Sequence, residues 1–270
     1  MDKKLKSQFP EWCFSNENGQ FQTVLTDDLD SLVGCAIESK VRGNEINHFY
    51  NFNRLFIGDK TDTRKLLGID LALHRGRSWC NHVVRIGRND YVNPLTANIN
   101  AIFNIYSGNY FQKYALSTAL LMWSFYDLPL PETKEGKMLL LSIDSGFLGH
   151  YDQRFKSVHN KYLRLLGFEE LIDLLNNTTK NDYFVLQSKY QTKAKIRLDD
   201  SGNLKSNLPL NEISQLIGLP LQLPSIQFTL RNRWKEKSDY TYSTPTKSKL
   251  GDNIISFALT GRNRFKYTYK

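Results

Sequence analysis

The stretch Val-Leu-Thr-Asp-Asp-Leu-Asp-Ser-Leu-Val-Gly-Cys at residues 24–35 constrains this chain more than any other. It passes from an apolar, strand-like segment (Phe21–Leu25) through three carboxylates, Asp27, Asp28 and Asp30, into a helix-like segment at residues 31–40. A sharp turn at the carboxyl end of a strand is where open α/β sheets place their chemistry. Carboxylates gathered this tightly repel one another, so they require a cation or an exposed helix start. Both readings have a physical basis. Asp and Thr are favoured N-cap residues, which accept hydrogen bonds from the free N–H groups of a first turn and complement the helix dipole. One cap needs one side chain, whereas three are supplied here.

The rest of the chain repeats the pattern. Residues 45–58 alternate in the manner of one or two strands, and residues 65–73 read as a buried strand with Asp70 set in its apolar run. A carboxylate in such a run needs a cation or several donors, or else it becomes neutral. Residues 76–88 are loop-like and hold Asn81-His82-Val83; the turn at Asn93-Pro94 leads into a helix near residues 98–106. Residues 110–126 have the spacing of a buried helix, ended by Pro129 and Pro131. Residues 137–144 read as another apolar strand closing on Asp144, and residues 155–175 as amphipathic helix interrupted at Gly167.

Texture changes after a polar run at residues 176–182, which suggests two domains, 1–178 and 179–270. In the second part, residues 183–187, 194–198, 225–231 and 254–259 are short β-type runs, and residues 211–217 suit a short helix. The expected fold is α/β: a largely parallel sheet flanked by helices, joined to a smaller basic α+β domain.

Charge follows the same division. The net charge is +9. Residues 180–270 carry 16 Lys and Arg against 7 Asp and Glu, and the remainder balances at 20 against 20. A neutral front with acidic clusters and a basic back is the asymmetry expected when one part does chemistry and the other holds a polyanion. Within the basic part, Arg231, Arg233, Arg262, Arg264 and Lys266 interleave with Trp234, Phe265, Tyr267 and Tyr269. Cations with aromatics suit single-strand binding, by phosphate pairing and base stacking. The same alternation is also what a half-buried strand shows. Cys13, Cys35 and Cys80 are widely spaced and odd in number, which suits a reducing, cytoplasmic setting without disulfides. The longest apolar run, residues 115–125, is too short to span a bilayer.

Asp28 and Asp30, Asp70 and Asp144 therefore each follow or interrupt an apolar strand-like run. Strands of a parallel sheet leave their carboxyl ends on one edge, where such groups can converge, with His82 folding back from its loop. Carboxylates with one His and no thiolate suit Mn²⁺ or Mg²⁺. Such a set is enough for a two-metal centre acting on phosphorus.

Here the chain resembles the DHH phosphoesterase superfamily, which includes RecJ-type single-strand exonucleases, nano-RNases, cyclic dinucleotide phosphodiesterases and family II pyrophosphatases. Asp28-Leu29-Asp30-Ser31 resembles the family's first motif, Asp70 its strand-borne aspartate, and Asp144 its fourth aspartate. Asn81-His82 is similar to a reduced Asp-His-His signature with an Asn-Pro downstream; Asn81 stands in place of the acid and Val83 in place of the second His. The family's terminal glycine-rich motif has no counterpart. The resemblance spans roughly residues 21–150. It implies Asp28, Asp30, Asp70, His82 and Asp144 as catalytic metal ligands for Mn²⁺ or Mg²⁺. Lys113 and Ser117 are further candidate substrate contacts, with Arg231, Arg233, Arg262, Arg264 and Lys266 of the basic part.

The expected activity is metal-dependent hydrolysis of a phosphodiester in single-stranded nucleic acid or a short oligonucleotide. Two alternatives stand beside it: a degenerate nucleic-acid-binding protein without catalysis, and a small-molecule phosphatase or pyrophosphatase.

Overall fold

A computed structural model describes residues 1–270. An N-terminal arm, helix α1 (Lys3–Lys6) followed by a 3-10 turn (Glu11–Phe14), lays Phe9, Trp12 and Cys13 into the core. Next come β1 (Phe21–Leu25), α2 (Leu29–Arg42), β2 (Ile46–Tyr50), β3 (Arg54–Ile57), β4 (Lys65–Ile69), β5 (Arg77–Cys80) and β6 (Thr96–Asn98). A helical stretch follows: α3 (Ile99–Ile102), α4 (Thr118–Phe125), α5 (Lys134–Leu141), α6 (Lys156–Leu165), α7 (Glu169–Asn176) and α8 (Lys180–Lys189). The short pair β7 (Arg197–Leu198) and β8 (Leu204–Lys205) and helix α9 (Leu210–Ile217) lead to β9 (Thr229–Arg233). The order is completed by β10 (Lys235–Tyr240), β11 (Ile254–Gly261) and β12 (Arg264–Tyr269).

Every residue of β1 is buried, as befits a central strand covered on both faces. It pairs in parallel with β2 on one side and β4 on the other, and β5 and β6 extend the parallel run. β3 and β9 add an antiparallel margin, giving the order β6-β5-β4-β1-β2-β3-β9. The chain leaves β1 for β2 on one side and then returns to lay β4 on the other. Strand order thus reverses between β1 and β4, and loops leaving their carboxyl ends diverge to open a crevice. α2 packs on the sheet and on α4 at close range. A Cβ at Gly34 would sit 2.5 Å from Ile69 Cγ2 and 3.0 Å from Met122 Sδ, so the lack of a side chain there sets the spacing.

Several local expectations fail. Residues 137–144, expected as a strand, belong to helix α5 and the turn after it, with Thr133 Oγ1 capping the helix by accepting from Gly136 N. An apolar run of this length does not distinguish strand from helix. Residues 183–187 lie in α8, started by a capping box between Thr179 and Asp182 rather than in a strand. Residues 110–126 are not one helix: a 3-10 turn ends at Gln112 and α4 starts afresh at Thr118 behind its cap, Ser117. Asp70 lies one residue beyond β4 rather than within it. The interruption at Gly167 does separate two helices, α6 and α7.

Packing runs through the polar segment at residues 176–182. Tyr183, Leu186, Ile196, Ile213 and Phe228 share one core with Leu25, Leu67 and Trp79, and β9 is a strand of the large sheet. What stands apart is the small antiparallel sheet β10-β12-β11. It joins the body through a second core, in which Phe257, Leu259 and Phe265 meet Val83, Ile86 and Ile105.

Candidate functional site

Asp28 is the N-cap of α2, its Oδ1 accepting from Ser31 N at 3.2 Å, and Asp30 lies in that helix's first turn. The capping reading of the acidic stretch is therefore correct for Asp28. Asp30 does something else. Its two carboxylate oxygens accept from Thr118 N (2.9 Å) and Ala119 N (2.7 Å), so it closes the N-terminus of α4, a helix 88 residues away in sequence. Thr118 also donates from Oγ1 to Asp70 Oδ1 at 2.6 Å, joining Asp30 to Asp70. Ser31 fastens the two strand ends: its hydroxyl donates to Ile69 O and accepts from Thr26 N.

Asp70 has left-handed backbone (φ 53°), the turn by which the chain leaves β4. Asp tolerates that region better than most residues, at a cost on the order of 1 kcal/mol. His82 Nδ1 lies 3.7 Å from Asp70 Oδ1. Asn81 Nδ2 donates to Leu116 O (2.8 Å) and to Asp144 Oδ2 (3.3 Å), while Asp144 enters from the turn after α5. Asn98 and Asn100 hold this loop by donating to the carbonyls of His82 and Asn81. The four carboxylates and the ring expected from the sequence thus gather at the β1/β4 crevice, although Asp144 arrives from a helix rather than a strand.

The electrostatic consequences follow from this gathering. Burial, and then the charge of Asp28, push Asp70 up to about 7. Burial, and then Asp70 and Asp28, push Asp144 up to about 6. Asp30 is raised by burial and by Asp70, Asp144 and Asp28 in turn. Desolvation lowers His82 even though its side chain is partly exposed, with Asp144 and Asp28 opposing the shift and Lys113 adding to it. Each group thus feels several of the others, as expected of like charges sharing one desolvated place.

Lys195 contributes a cation that was not singled out in the sequence. Its Nζ stands 2.9 Å from Asp27 Oδ1 and 3.5 Å from Asp28 Oδ2, with Ile196 N donating to Asp27 O beside it. Partial burial works against its charge, but Asp27 and Asp28 outweigh that and hold the ammonium above its ordinary range. No local pattern distinguishes Lys195 from the other lysines of the basic region, and the same is true of Thr118 as a bridge.

No protein-family model matches this chain, and no curated protein or solved structure matches it.

The small sheet closes over the site. His74 N donates to Ile255 O, Phe257 N to Ala72 O and Leu259 N to Val83 O, which fastens β11 along the segments just beyond Asp70 and His82. Between them lies a cavity of about 200 Å³ lined by Asp70, His82, Glu236 and Lys266. Lys266 pairs with Glu236 at 2.9 Å. Lys113 lines a neighbouring cavity, and Arg262 and Arg264 are exposed on the small sheet. Three candidate contacts are placed otherwise. Ser117 is buried, its hydroxyl occupied in capping α4 through Leu120 N. Arg231 and Arg233 are on β9 at the sheet margin, three strands and roughly 14 Å from β1, where Arg231 Nη1 donates to His48 Nε2.

The donor set, carboxylates with one imidazole and no thiolate, has the chemistry of a site for Mn²⁺ or Mg²⁺. As they stand, no three of the His, Cys, Asp and Glu side chains are arranged to hold a metal ion. No helix is long and apolar enough to cross a membrane.

Proposed function

We propose that this chain is a divergent DHH-type phosphoesterase, a Mn²⁺- or Mg²⁺-dependent hydrolase acting on a phosphodiester in single-stranded nucleic acid or a short oligonucleotide. The observation that carries the reading is the meeting of Asp28, Asp30, Asp70, Asp144 and His82 at the strand-order reversal between β1 and β4. Self-repulsion on this scale is what a bound cation relieves. A divalent ion there would activate water and offset the charge developing on the phosphoryl oxygens.

The chain's own residues have separable tasks. Asp30 and Thr118 aim the N-terminus of α4 at the cluster, whose partial positive charge eases the crowding of carboxylates. Asp70 holds a proton more readily than an ordinary carboxylate, and so does Asp144. Lys266 and Lys113 flank the crevice and would pair phosphate oxygens on either side of the scissile bond.

One observation favours a second reading, a nucleic-acid-binding protein without turnover. Asn81 places an amide where the family signature has an acid, and the Lys195 ammonium already stands beside Asp28. A fluorescent single strand incubated with Mn²⁺, with and without chelator, separates the two. Cleavage that needs metal and disappears in Asp70→Asn is expected. Cleavage indifferent to chelator and to Asp70→Asn overturns the reading; binding without cleavage establishes the second one.

A further inference from the structure

Behind the acidic cluster lies a second cavity, of about 270 Å³, whose walls include Ser145, Lys113, His159 and the rings of Tyr110, Phe111 and Phe155. It shares a partition with the site described above. Ser145 is the neighbour of Asp144, and Leu116, whose carbonyl holds Asn81, lines its other side. Two backbone segments of the cavity wall meet tightly there: a Cβ on Gly146 would lie 2.2 Å from Ala115 O.

We propose that this cavity is a nucleobase subsite, receiving one base of the strand whose phosphodiester lies at the acidic cluster. The proposal rests on the phosphoesterase reading and names how that site would grip its substrate.

Size is the first argument. Pockets for whole drug-sized ligands run from ~300 to ~1,000 Å³; this one suits a single ring system, not a folded peptide or a run of nucleotides. Aromatic character is the second. Phe111 is 51% exposed and its ring lies 5.6 Å from that of Phe155, inclined by 36°. Rings already in contact leave no slot between them, so a base would stack against their cavity face.

Charge is the third argument. A cation stands over each of three rings at the mouth: Arg262 Cζ is 5.5 Å from Phe111, Arg154 Cζ 5.0 Å from Phe155, and Lys113 Nζ 4.9 Å from Tyr110. Arg154 also pairs with Asp152, but Arg262 comes from the small sheet and extends the basic surface to the mouth. Stacking rings ringed by cations suit a base with phosphates on either side. His159 supplies the fourth. Asn160 Oδ1 lies 3.0 Å from its Nδ1 and accepts a hydrogen bond from it, and burial lowers its pKa to about 4, so the ring is neutral. Nε2 is then an acceptor with no donor in the protein, buried in the wall of the cavity.

The test uses the full chain and fluorescent hexaadenylate, in ribo and deoxy forms, with six versions that each lack one base. Binding is read by anisotropy with Ca²⁺ in place of Mn²⁺, so that strands are bound rather than cut. Loss of one particular base is expected to weaken binding about 5- to 100-fold, and loss of the others far less. Phe111→Ala, at a half-exposed position that melting would show to be folded, should abolish that difference, as should Phe155→Ala; Phe111→Trp should retain it. Equal losses at all six positions, a positional loss that survives both alanine variants, or no binding of either form overturns the subsite. Parallel cleavage of the intact strand in Mn²⁺ keeps the two ideas distinct. Cleavage without a positional effect sinks the subsite alone, whereas a positional effect without cleavage sinks the phosphoesterase reading and leaves the subsite standing.

Discussion

Asp70 combines left-handed backbone, burial, a hydroxyl donor and a neighbouring His ring in one residue. Its folded pKa of about 7 stands above its ordinary 3.8. Between those values the folded protein binds more protons than the unfolded chain, so this group's contribution to stability is present below pH 3.8 and is lost as pH rises towards 7. Asp70→Asn removes the titration, and Asn tolerates the same backbone region. In the metal-free protein, the melting temperature of Asp70→Asn minus that of wild type should therefore grow from pH 4 to pH 7. Mn²⁺ should narrow the gap by stabilising wild type, as any ligand of the folded state does. A difference independent of pH would mean that Asp70 is not under this electrostatic load. Lys195 admits a second test at this scale. Its ammonium is a fixed cation beside Asp28, so Lys195→Met should tighten Mn²⁺ binding in calorimetry. Weaker binding would make Lys195 a support of the ligand geometry instead of a competitor for it.

At the scale of elements, the crevice depends on two close approaches and one long-range cap. Asp30→Ala deprives the α4 N-terminus of two hydrogen bonds. The variant should lose roughly 2–4 kcal/mol in urea unfolding even without metal, because two helix N–H groups are left buried and unpaired. Asp70→Asn should show no such loss, and a neutral Asp30→Ala would mean that water reaches the end of α4. Gly146→Ala pushes backbone against backbone at Ala115, and Gly34→Val drives a branched side chain into Ile69 and Met122. Each should cost about 1–3 kcal/mol, and the first should also disturb Asp144, which adjoins Gly146. Metal titration of Gly146→Ala, compared with that of Gly34→Val, separates this local effect from general loss of stability.

At the scale of the whole molecule, the basic excess and the acidic crevice meet through the small sheet, which is fastened by backbone bonds to the segments after Asp70 and His82. Arg262 and Arg264 are exposed on it, and Lys266 reaches the crevice. If the surface holds a single strand, the affinity should fall with salt at roughly −0.7 log units per phosphate contact. Arg262→Ala with Arg264→Ala should then flatten the slope by about 1.4 units. Arg231→Ala and Arg233→Ala, at the far margin of the large sheet, should leave it unchanged. The reverse result would move the binding face to the β9 edge.

What could be read from the chain alone was whatever depends on neighbours in sequence. The strand at residues 21–25, the carboxylates after it, the α/β character and the break at Gly167 all follow from periodicity and turn chemistry, which are local. The alternation at residues 264–269 was equally legible as a half-buried strand. Two apolar runs, residues 137–144 and 183–187, could not be settled this way, because a short continuous apolar run lacks a period; caps at Thr133 and Thr179 and the packing of a common core made them helices. The five acidic and His positions were nameable because their residue types are costly to bury. Their convergence on one edge was expected from a parallel sheet, but the route was not, since β4 is laid on the opposite side of β1 from β2 and Asp144 arrives from the turn after a helix. Thr118, Lys195 and the partition at Gly146 were invisible for the same reason. Each acts on a group distant in sequence, through a contact that exists only once the sheet order and the close approach of α2 to α4 have brought the segments together.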